Sequence, residues 1–266
     1  MQKKIYLGSN LKMYKTIAET CEYLQRLAAN TRDINRSEME LFIIPSYTAL
    51  ERAVNCIDKN SIKLGAQNMC WEGQGQYTGE ISPLMLKEIG LDLVMIGHSE
   101  RRHIFGETDT EENRKVRKAL EMDLTALLCI GETAEQKEFG ISAETLRIQL
   151  KVGLHGITQE QISKLWIAYE PVWSIGVNGI PASADYAEEM HRIIKTTLTE
   201  IYGINADDIP VLYGGSVNPS NAKELIVQPS VDGLFIGRSA WDADDFDKLI
   251  RSVLKVSQLS REEKLG

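Results

Sequence analysis

Eight short apolar runs, separated by segments of helical spacing, constrain the fold of this chain more than any other feature. Each run is nearly continuous in apolar residues, which is typical of strands buried on both faces of a parallel sheet. The runs are KIYLGS from Lys4, LFIIP from Leu41, IKLGAQN from Ile62, LVMIGH from Leu93, TALLCIGE from Thr125, LWIAYE from Leu165, PVLYGG from Pro210 and GLFIG from Gly233. Because strand alternates with helix eight times within 266 residues, the pattern predicts an α/β fold: a closed (β/α)8 barrel of parallel strands with surrounding helices.

An open, doubly wound sheet is the rival architecture. No glycine fingerprint follows the first run and no acid ends the second, which disfavours a dinucleotide-binding sheet. Three of the intervening segments follow or begin with the helix-capping residue types Thr16, Asp109 and Ser183. No linker interrupts the pattern, so we expect one domain over residues 1–266, with the polar tail SQLSREEKLG extending the last helix or fraying from it.

Composition and charge limit the classes of binding partner and the cellular location that we expect. The formal net charge of −8 argues against general binding to nucleic acid or to anionic membranes. No run approaches the length of a membrane span, and the N-terminus lacks the apolar core of a signal peptide. The four cysteines show no CxxC pairing. We therefore expect reduced thiols, no metal site and a cytoplasmic protein.

Residues able to do chemistry stand where the apolar runs end. In a parallel barrel, active sites form at the carboxyl ends of the strands. The residues found there are Ser9 to Lys12 after the first run, Gly97 to Arg101 after the fourth, Glu170 after the sixth, Tyr213 to Ser216 after the seventh, and Gly237 to Ser239 after the eighth. A lysine, a histidine, two acids and three glycine-containing turns should therefore converge on one rim of the barrel.

Each of these residues also has a structural interpretation when it is taken alone. Glu170 could be a general base or a surface ion-pairing carboxylate, and His98 could polarise a carbonyl or serve only in packing. Lys12 could stabilise negative charge or be solvated. The turns at Ser216 and Gly237 could offer backbone amides to a phosphate, or their glycines could only cap tight loops. Convergence on one rim is what favours the catalytic interpretation.

Six stretches, in order along nearly the whole chain, resemble the triosephosphate isomerase family. They are NLKM, AQNMCWEGQGQYTGEIS, GHSERRHIFGETD, CIGE, AYEPVWSIG and YGGSV. The combination of GHSERR with AYEPVWSIG is highly specific. The resemblance implies a TIM barrel and an aldose–ketose isomerase that interconverts small sugar phosphates through an enediolate, without a metal or an organic cofactor.

The resemblance also implies catalytic roles, residue by residue. Glu170 is implied to shuttle the proton, and His98 to polarise the carbonyl as a neutral imidazole. Lys12 and Asn10 are implied to contact the substrate oxygens. Glu100 is implied to orient Lys12 or to relay within the site.

A phosphate site, a lid and a dimer contact follow from the same resemblance. The phosphate-binding residues would be Gly176, Ser216, Gly237, Arg238 and Tyr213. The lid and clamp residues would be Pro171, Trp173, Ile175 and Phe235, and closure of the lid would exclude water from the enediolate. Thr78, at the tip of the QYTGEIS loop, is implied to insert beside the active site of a second subunit, which makes the expected assembly a homodimer.

Four departures from the family pattern bear on the substrate. The lid continues as VNGIPA from Val177 where the family usually has TGKTA, and NLKM lacks the tryptophan of NWKM. Arg238 follows Gly237 where a second glycine is usual, and it could bind an anion or point to solvent. Phe235 replaces the leucine that clamps the base.

Three functions remain open on the sequence alone. The first expectation is a triosephosphate isomerase, which interconverts glyceraldehyde 3-phosphate and dihydroxyacetone phosphate. The alternative is a sister isomerase for a four-carbon ketose phosphate such as erythrulose phosphate. A third, different class is a non-catalytic phosphate-binding barrel, which the intact Glu170 and His98 disfavour because a mere binder needs no base.

Overall fold

The eight apolar runs form the eight strands of one closed parallel barrel. The computed structural model describes residues 4–176 and 179–263. Neighbouring strands follow the order of the sequence, and the eighth pairs with the first. The strands are β1 Ile5–Asn10, β2 Met39–Ile44, β3 Lys63–Ala66, β4 Leu93–Ile96, β5 Thr125–Ile130, β6 Leu165–Tyr169, β7 Val211–Tyr213 and β8 Gly233–Ile236. The predicted (β/α)8 architecture is therefore confirmed.

Helices occupy the connections between the strands. They are α1 Ile17–Asn30, α2 Leu50–Cys56, α3 Pro83–Glu88, α4 Ser99–His103, α5 Asp109–Glu121, α6 Ala134–Glu138, α7 Ser142–Gly153, α8 Ala184–Tyr202, α9 Ala222–Ile226 and α10 Ala243–Glu263. Short 3-10 turns include Val172–Ser174 after β6 and Arg238–Ala240 after β8. The polar tail extends α10 as far as Glu263.

Two of the three predicted helix caps are correct, and the third is wrong by one residue. Thr16 and Ser183 cap α1 and α8 through their hydroxyl oxygens. The cap of α5 is Thr108, which accepts from the Glu111 amide at 3.3 Å in a reciprocal capping box. Asp109 is the first residue of the helix, and its carboxylate pairs with Arg102 instead, at 2.5 Å.

The apolar core has two layers. The larger layer lies between the strands and the surrounding helices, and the smaller one fills the barrel interior. The interior residues are Phe42, Ile44, Leu93, Met95, Leu127, Cys129, Trp166, Ala168, Leu212 and Phe235. Because side chains alternate along a strand, residues next to these in sequence face the helices.

Three further properties of the described residues concern membranes, metals and thiols. Among them, no helix is both long enough and apolar enough to cross a membrane. Within the same residues, no three His, Cys, Asp or Glu side chains are grouped so that they could hold a metal ion. The free cysteines are Cys21, Cys56, Cys70 and Cys129, of which the last two are buried.

Candidate active site

A cavity of about 250 Å³ opens at the carboxyl ends of the strands. Its lining brings together most of the residues that the sequence placed on this rim. Those residues are Asn10, Lys12, His98, Glu170, Ile175, Gly176, Ser216, Phe235, Gly237 and Arg238. Residues from the first, fourth, sixth, seventh and eighth strand ends thus share one space, as the barrel topology requires.

Glu170 follows directly after β6 and is held in place from several sides. Its side chain is 3% exposed, and its Oε1 lies 3.7 Å from His98 Nε2. Its Oε2 accepts from the backbone amide of Ser99 at 3.3 Å. Gly214 packs so closely that a Cβ there would lie 2.8 Å from Glu170 Cγ. The result is a buried carboxylate beside an imidazole at the mouth of the barrel.

His98 caps helix α4, and this contact determines which nitrogen carries the proton. Its Nδ1 accepts from the amide of Glu100 at 3.2 Å. Because an amide can only donate, Nδ1 carries no proton, and the imidazole is neutral with its hydrogen on Nε2. A Glu100 carboxylate oxygen also lies 3.5 Å from Nδ1, but the other oxygen pairs with Lys12, so the nearer amide decides the tautomer.

Lys12 stands across the cavity in a strained backbone conformation. Its φ of 51° lies in the left-handed region, which is uncommon for a residue with a side chain. Its amide donates to Asn10 Oδ1 at 2.8 Å, and its ammonium pairs with Glu100 at 2.7 Å. Gln67 Nε2 donates to the Lys12 carbonyl at 2.6 Å and to Asn10 Oδ1 at 3.2 Å. Asn10 Oδ1 is thus an acceptor, so the Asn10 amide group is left to donate toward the cavity.

The opposite side of the cavity is built from backbone turns. Gly176 has a φ of 93°, a conformation that favours glycine. The amide of Ser216 donates to Ser174 Oγ at 2.9 Å, which links the turn after β7 to the start of the lid. Arg238 is exposed at the turn after β8, and no residue in the described parts of the chain pairs with its guanidinium.

The segment after β6, which the resemblance makes the first hinge of a lid, is anchored on a buried carboxylate. Glu132 accepts from Trp173 Nε1 at 2.8 Å, from Tyr169 OH at 3.0 Å and from Tyr186 OH at 2.8 Å. Its carbonyl accepts from the amide of the residue after Pro171 at 3.0 Å. The turn from Pro171 to Trp173 is therefore fixed at the start of the segment that leads to Gly176. Val177 and Asn178, two of the residues at which the expected lid differs from the family pattern, lie outside the described residues.

Tyr213 lies behind the cavity, and its expected contact with phosphate is corrected. Its ring is fully buried, packed edge-on against Tyr169 and tilted against His191, with both centroid distances 6.1 Å. The reason is strand alternation: Leu212 faces the barrel interior, so the next residue faces helix α8.

Thr78 is not among the residues that line the chain's own cavity or the groove beside it. It is exposed in the loop between β3 and α3, two residues from Gln76 and next to Gly79, whose φ is 92°. A groove of about 730 Å³ beside the cavity shares Asn10, Lys12 and His98 with it. The loop is thus exposed, and the rim that carries Lys12 and His98 continues into an open groove.

Sequence reasoning assigned no role to several residues that hold the site. Ser99, Gln67 and Glu132 all occur within the family motifs GHSERR, AQN and CIGE. Their position in those motifs was the available signal. Their partners are backbone groups or side chains from other strands, which no local pattern identifies.

Comparisons with known proteins identify the family of this chain. The family model described as triosephosphate isomerase matches residues 5–253. Relatives named L-erythrulose-1-phosphate isomerase, from Rhizobium etli and Brucella abortus, are 48% and 46% identical to this chain. Those alignments cover 94% and 95% of this chain and 92% and 98% of the relatives. A triosephosphate isomerase from Acetivibrio thermocellus is 41% identical over 94% of this chain and 99% of its own length.

The fold agrees as well as the sequence. The crystal structure of triosephosphate isomerase from Bartonella henselae matches with a TM-score of 0.83 at 36% sequence identity. That match covers 93% of this chain and 98% of the other. The chain therefore belongs to the triosephosphate isomerase family of aldose–ketose isomerases.

Proposed function

We propose that this enzyme isomerises a four-carbon ketose phosphate of the type of L-erythrulose 1-phosphate. Relatives at 48% and 46% identity carry that name, whereas the relative named triosephosphate isomerase is 41% identical. These identities favour the four-carbon alternative over the three-carbon function that the sequence motifs first suggested. The departures at Phe235, Arg238 and the lid lie around the same cavity, where they can alter the fit of a substrate.

The same chemistry serves both substrates. L-Erythrulose 1-phosphate has its carbonyl on the carbon next to the phosphate-bearing carbon, as dihydroxyacetone phosphate does. It differs by one hydroxymethyl group on the third carbon. Removal of a proton from the third carbon gives an enediolate whose negative charge lies on the oxygen of the second carbon. The hydroxyl proton then passes from the oxygen of the third carbon to the oxygen of the second, and return of a proton to the second carbon leaves the carbonyl on the third. No atom is gained or lost, so no redox cofactor is needed for balance.

Glu170 is the group that we assign as the base. The single observation that carries this assignment is its buried carboxylate 3.7 Å from His98 Nε2, on one wall of the cavity. To reach the third carbon, the carboxylate exchanges its hydrogen bond with the Ser99 amide for the substrate proton. It then delivers the proton to the second carbon.

His98 and Lys12 stabilise the charge that develops on the substrate oxygens. The neutral His98 donates its Nε2 hydrogen to the carbonyl oxygen that becomes the enediolate. The ammonium of Lys12, held by Glu100 at 2.7 Å, provides the positive charge nearby. The amide group of Asn10 donates from the same wall. Because these groups are positioned before the substrate binds, little reorganisation is needed during proton transfer.

The phosphate is bound at the opposite side of the cavity. Backbone amides at Gly176 and Gly237 approach it, and the amide of Ser216 does so when it exchanges its hydrogen bond with Ser174 Oγ for one to the phosphate. The Arg238 guanidinium can add a charged hydrogen bond. Closure of the lid on its hinge at Pro171 excludes water, which protects an enediolate with a neighbouring phosphate from elimination.

We also propose that the enzyme is a homodimer. The loop around Thr78 is exposed, and the exposed ring of Tyr77 would be covered by a partner. The groove beside Lys12 and His98 is open at the catalytic rim, so the loop of a second subunit could complete it. Thr78 would then act from the partner subunit as a support for the active site.

The test compares two substrates on one preparation. We expect kcat/KM for L-erythrulose 1-phosphate to exceed that for dihydroxyacetone phosphate, and Glu170→Gln to abolish both, which controls for contaminating host isomerase. A triose value near the diffusional ceiling of about 10⁸ M⁻¹s⁻¹ would instead make the enzyme a triosephosphate isomerase. Phosphate binding without turnover of either sugar would identify a non-catalytic barrel.

A further inference from the structure

A continuous column of aromatic rings runs through the barrel interior and ends at the cavity. The ring of Tyr6 lies 5.0 Å from that of Trp166, and Trp166 lies 5.5 Å from Phe42. The Phe42 ring in turn stacks on Phe235, with centroids 5.6 Å apart and planes inclined by 25°. Of these rings, Phe235 lines the active-site cavity, whereas Phe42 is completely buried below it.

The stacked pair occupies a space left by a glycine. In the barrel register, Gly8 of β1 pairs with Phe42 of β2 on one side and with Phe235 of β8 on the other. A Cβ on Gly8 would lie 2.3 Å from atoms of the Phe42 ring. The ring therefore lies directly across the missing side chain. Gly8 is required here for close approach rather than for an unusual φ.

We propose that Phe42 is a positioning residue for the active site and acts through Phe235, which lines the same cavity as Glu170. The Phe42 ring packs against the backbone of Gly8 on one side and against Trp166 on another, so close packing holds the face on which Phe235 stacks. Interiors are close-packed, so a smaller residue at position 42 would leave a void into which the Phe235 ring can move.

This inference rests on the proposed function, because its consequence is selectivity between substrates of different length. A four-carbon substrate fills more of the cavity and packs against more of its wall than a three-carbon substrate does. A shift of the Phe235 ring should therefore reduce turnover of the four-carbon substrate more than turnover of the three-carbon substrate. In apolar pockets, one additional carbon changes the ratio of kcat/KM between two substrates by a factor of about 10 to 200. We therefore expect a change in this ratio near the lower end of that range.

The test is Phe42→Leu, with Phe246→Leu as the matched control. Phe246 is also completely buried, but it lies in the layer between strands and helices, away from the barrel interior. Both variants should lower the Tm. Only Phe42→Leu should lower the ratio of kcat/KM for L-erythrulose 1-phosphate to that for dihydroxyacetone phosphate, by about tenfold. The ratio does not depend on the fraction of folded enzyme, so a purely structural role for Phe42 would leave it unchanged.

A ratio that stays within about twofold of wild type in Phe42→Leu, or that falls equally in Phe246→Leu, overturns the proposal. If Phe42→Leu does not fold, Phe42→Met replaces it, because it conserves volume more closely. If the wild type turns over no tetrulose phosphate, the proposed function fails. The inference is then tested by measuring the affinity for two probes, phosphoglycolate, which carries carbon atoms as well as a phosphate, and inorganic phosphate. Phe42→Leu should weaken the binding of phosphoglycolate only. If the variant and the wild type bind phosphoglycolate equally well, the inference is refuted.

Discussion

The two sides of the active-site cavity are built in different ways. On the side of the base, Glu170 and His98 are 3% and 5% exposed and are held by the amides of Ser99 and Glu100. On the side of the phosphate turns, Arg238 is exposed and unpaired among the described residues, and the lid depends on the permissive backbone of Gly176. The first side is a buried, hydrogen-bonded network, whereas the second includes an exposed charged side chain.

This difference indicates which residues of the site can be substituted while the enzyme keeps its activity. Displacing one member of a closed network leaves a buried polar group without its partner, which is costly. An exposed arginine or a lid residue can change at little cost to stability. The base side should therefore determine whether the reaction occurs, and the phosphate side should determine which sugar phosphate is preferred.

The largest effect should come from breaking the base side. Glu170→Asp withdraws the carboxylate by one carbon while the phosphate turns stay intact. We expect kcat to fall by about a hundredfold or more, with a much smaller change in KM, because misplacement by about 1 Å spoils proton transfer. Steady-state kinetics would measure this. The exposed Glu135→Asp is the matched control, and an unchanged kcat in Glu170→Asp would remove Glu170 as the base.

A smaller effect is expected on the phosphate side. Arg238→Gly restores the second glycine that is usual in the family at this turn. We therefore expect the preference to shift toward dihydroxyacetone phosphate by about tenfold, with kcat for this three-carbon substrate nearly unchanged. The measurement is the ratio of kcat/KM for the two sugar phosphates. Arg32→Gly, on the exposed surface after α1, is the control. An identical ratio before and after would make Arg238 a bystander.

The Thr78 loop should give a change that depends on protein concentration. Thr78→Arg places a bulky charge where the partner subunit would pack, so the variant should dissociate more readily and lose activity as it is diluted. Analytical ultracentrifugation and activity at matched concentrations would show this. A variant that remains a fully active dimer at low concentration would contradict the proposed contact.

The smallest effect on turnover is expected at His191, a buried residue of α8 whose ring packs against Tyr169 and Tyr213. Burial lowers the pKa of His191 to about 4 from the usual 6.5, and its Nδ1 lies 3.2 Å from the Ser230 carbonyl oxygen. A depressed pKa in the folded state means that protonation favours unfolding. Its contribution to stability is therefore complete above about pH 6.5 and is lost toward pH 4, by at most about 1.4 kcal/mol per pH unit.

Denaturant unfolding between pH 7 and pH 4 would measure this loss. His191→Gln can keep a hydrogen bond to Ser230 but cannot titrate, so its stability should depend less on pH in that range. Equal pH slopes for the wild type and for His191→Gln would assign the acid sensitivity to other groups.

Much of the fold and of the site could be read from local pattern. The apolar runs that were predicted as strands are strands, because a strand buried on both faces needs apolar residues whichever strands lie beside it. The rim residues Asn10, Lys12, His98 and Glu170 meet in one cavity, because a parallel barrel brings all strand ends to one side. The error at Asp109 was equally local: two neighbouring residues could both cap, and only Thr108 has its hydroxyl opposite the Glu111 amide.

By itself, the sequence determined the alternation of strand and helix and the kinds of residue that end each strand. Tertiary structure decided which face each side chain takes and which groups from distant strands become partners. Tyr213 turned away from the cavity because its neighbour Leu212 fills the interior. Phe42 and Phe235 could stack across Gly8 only because closure of the barrel makes β2 and β8 both neighbours of β1. The spacing of apolar residues and the positions of glycine, proline and capping residues are local properties of a chain. The register of the strands and the closure of the barrel arise only when distant strands pair.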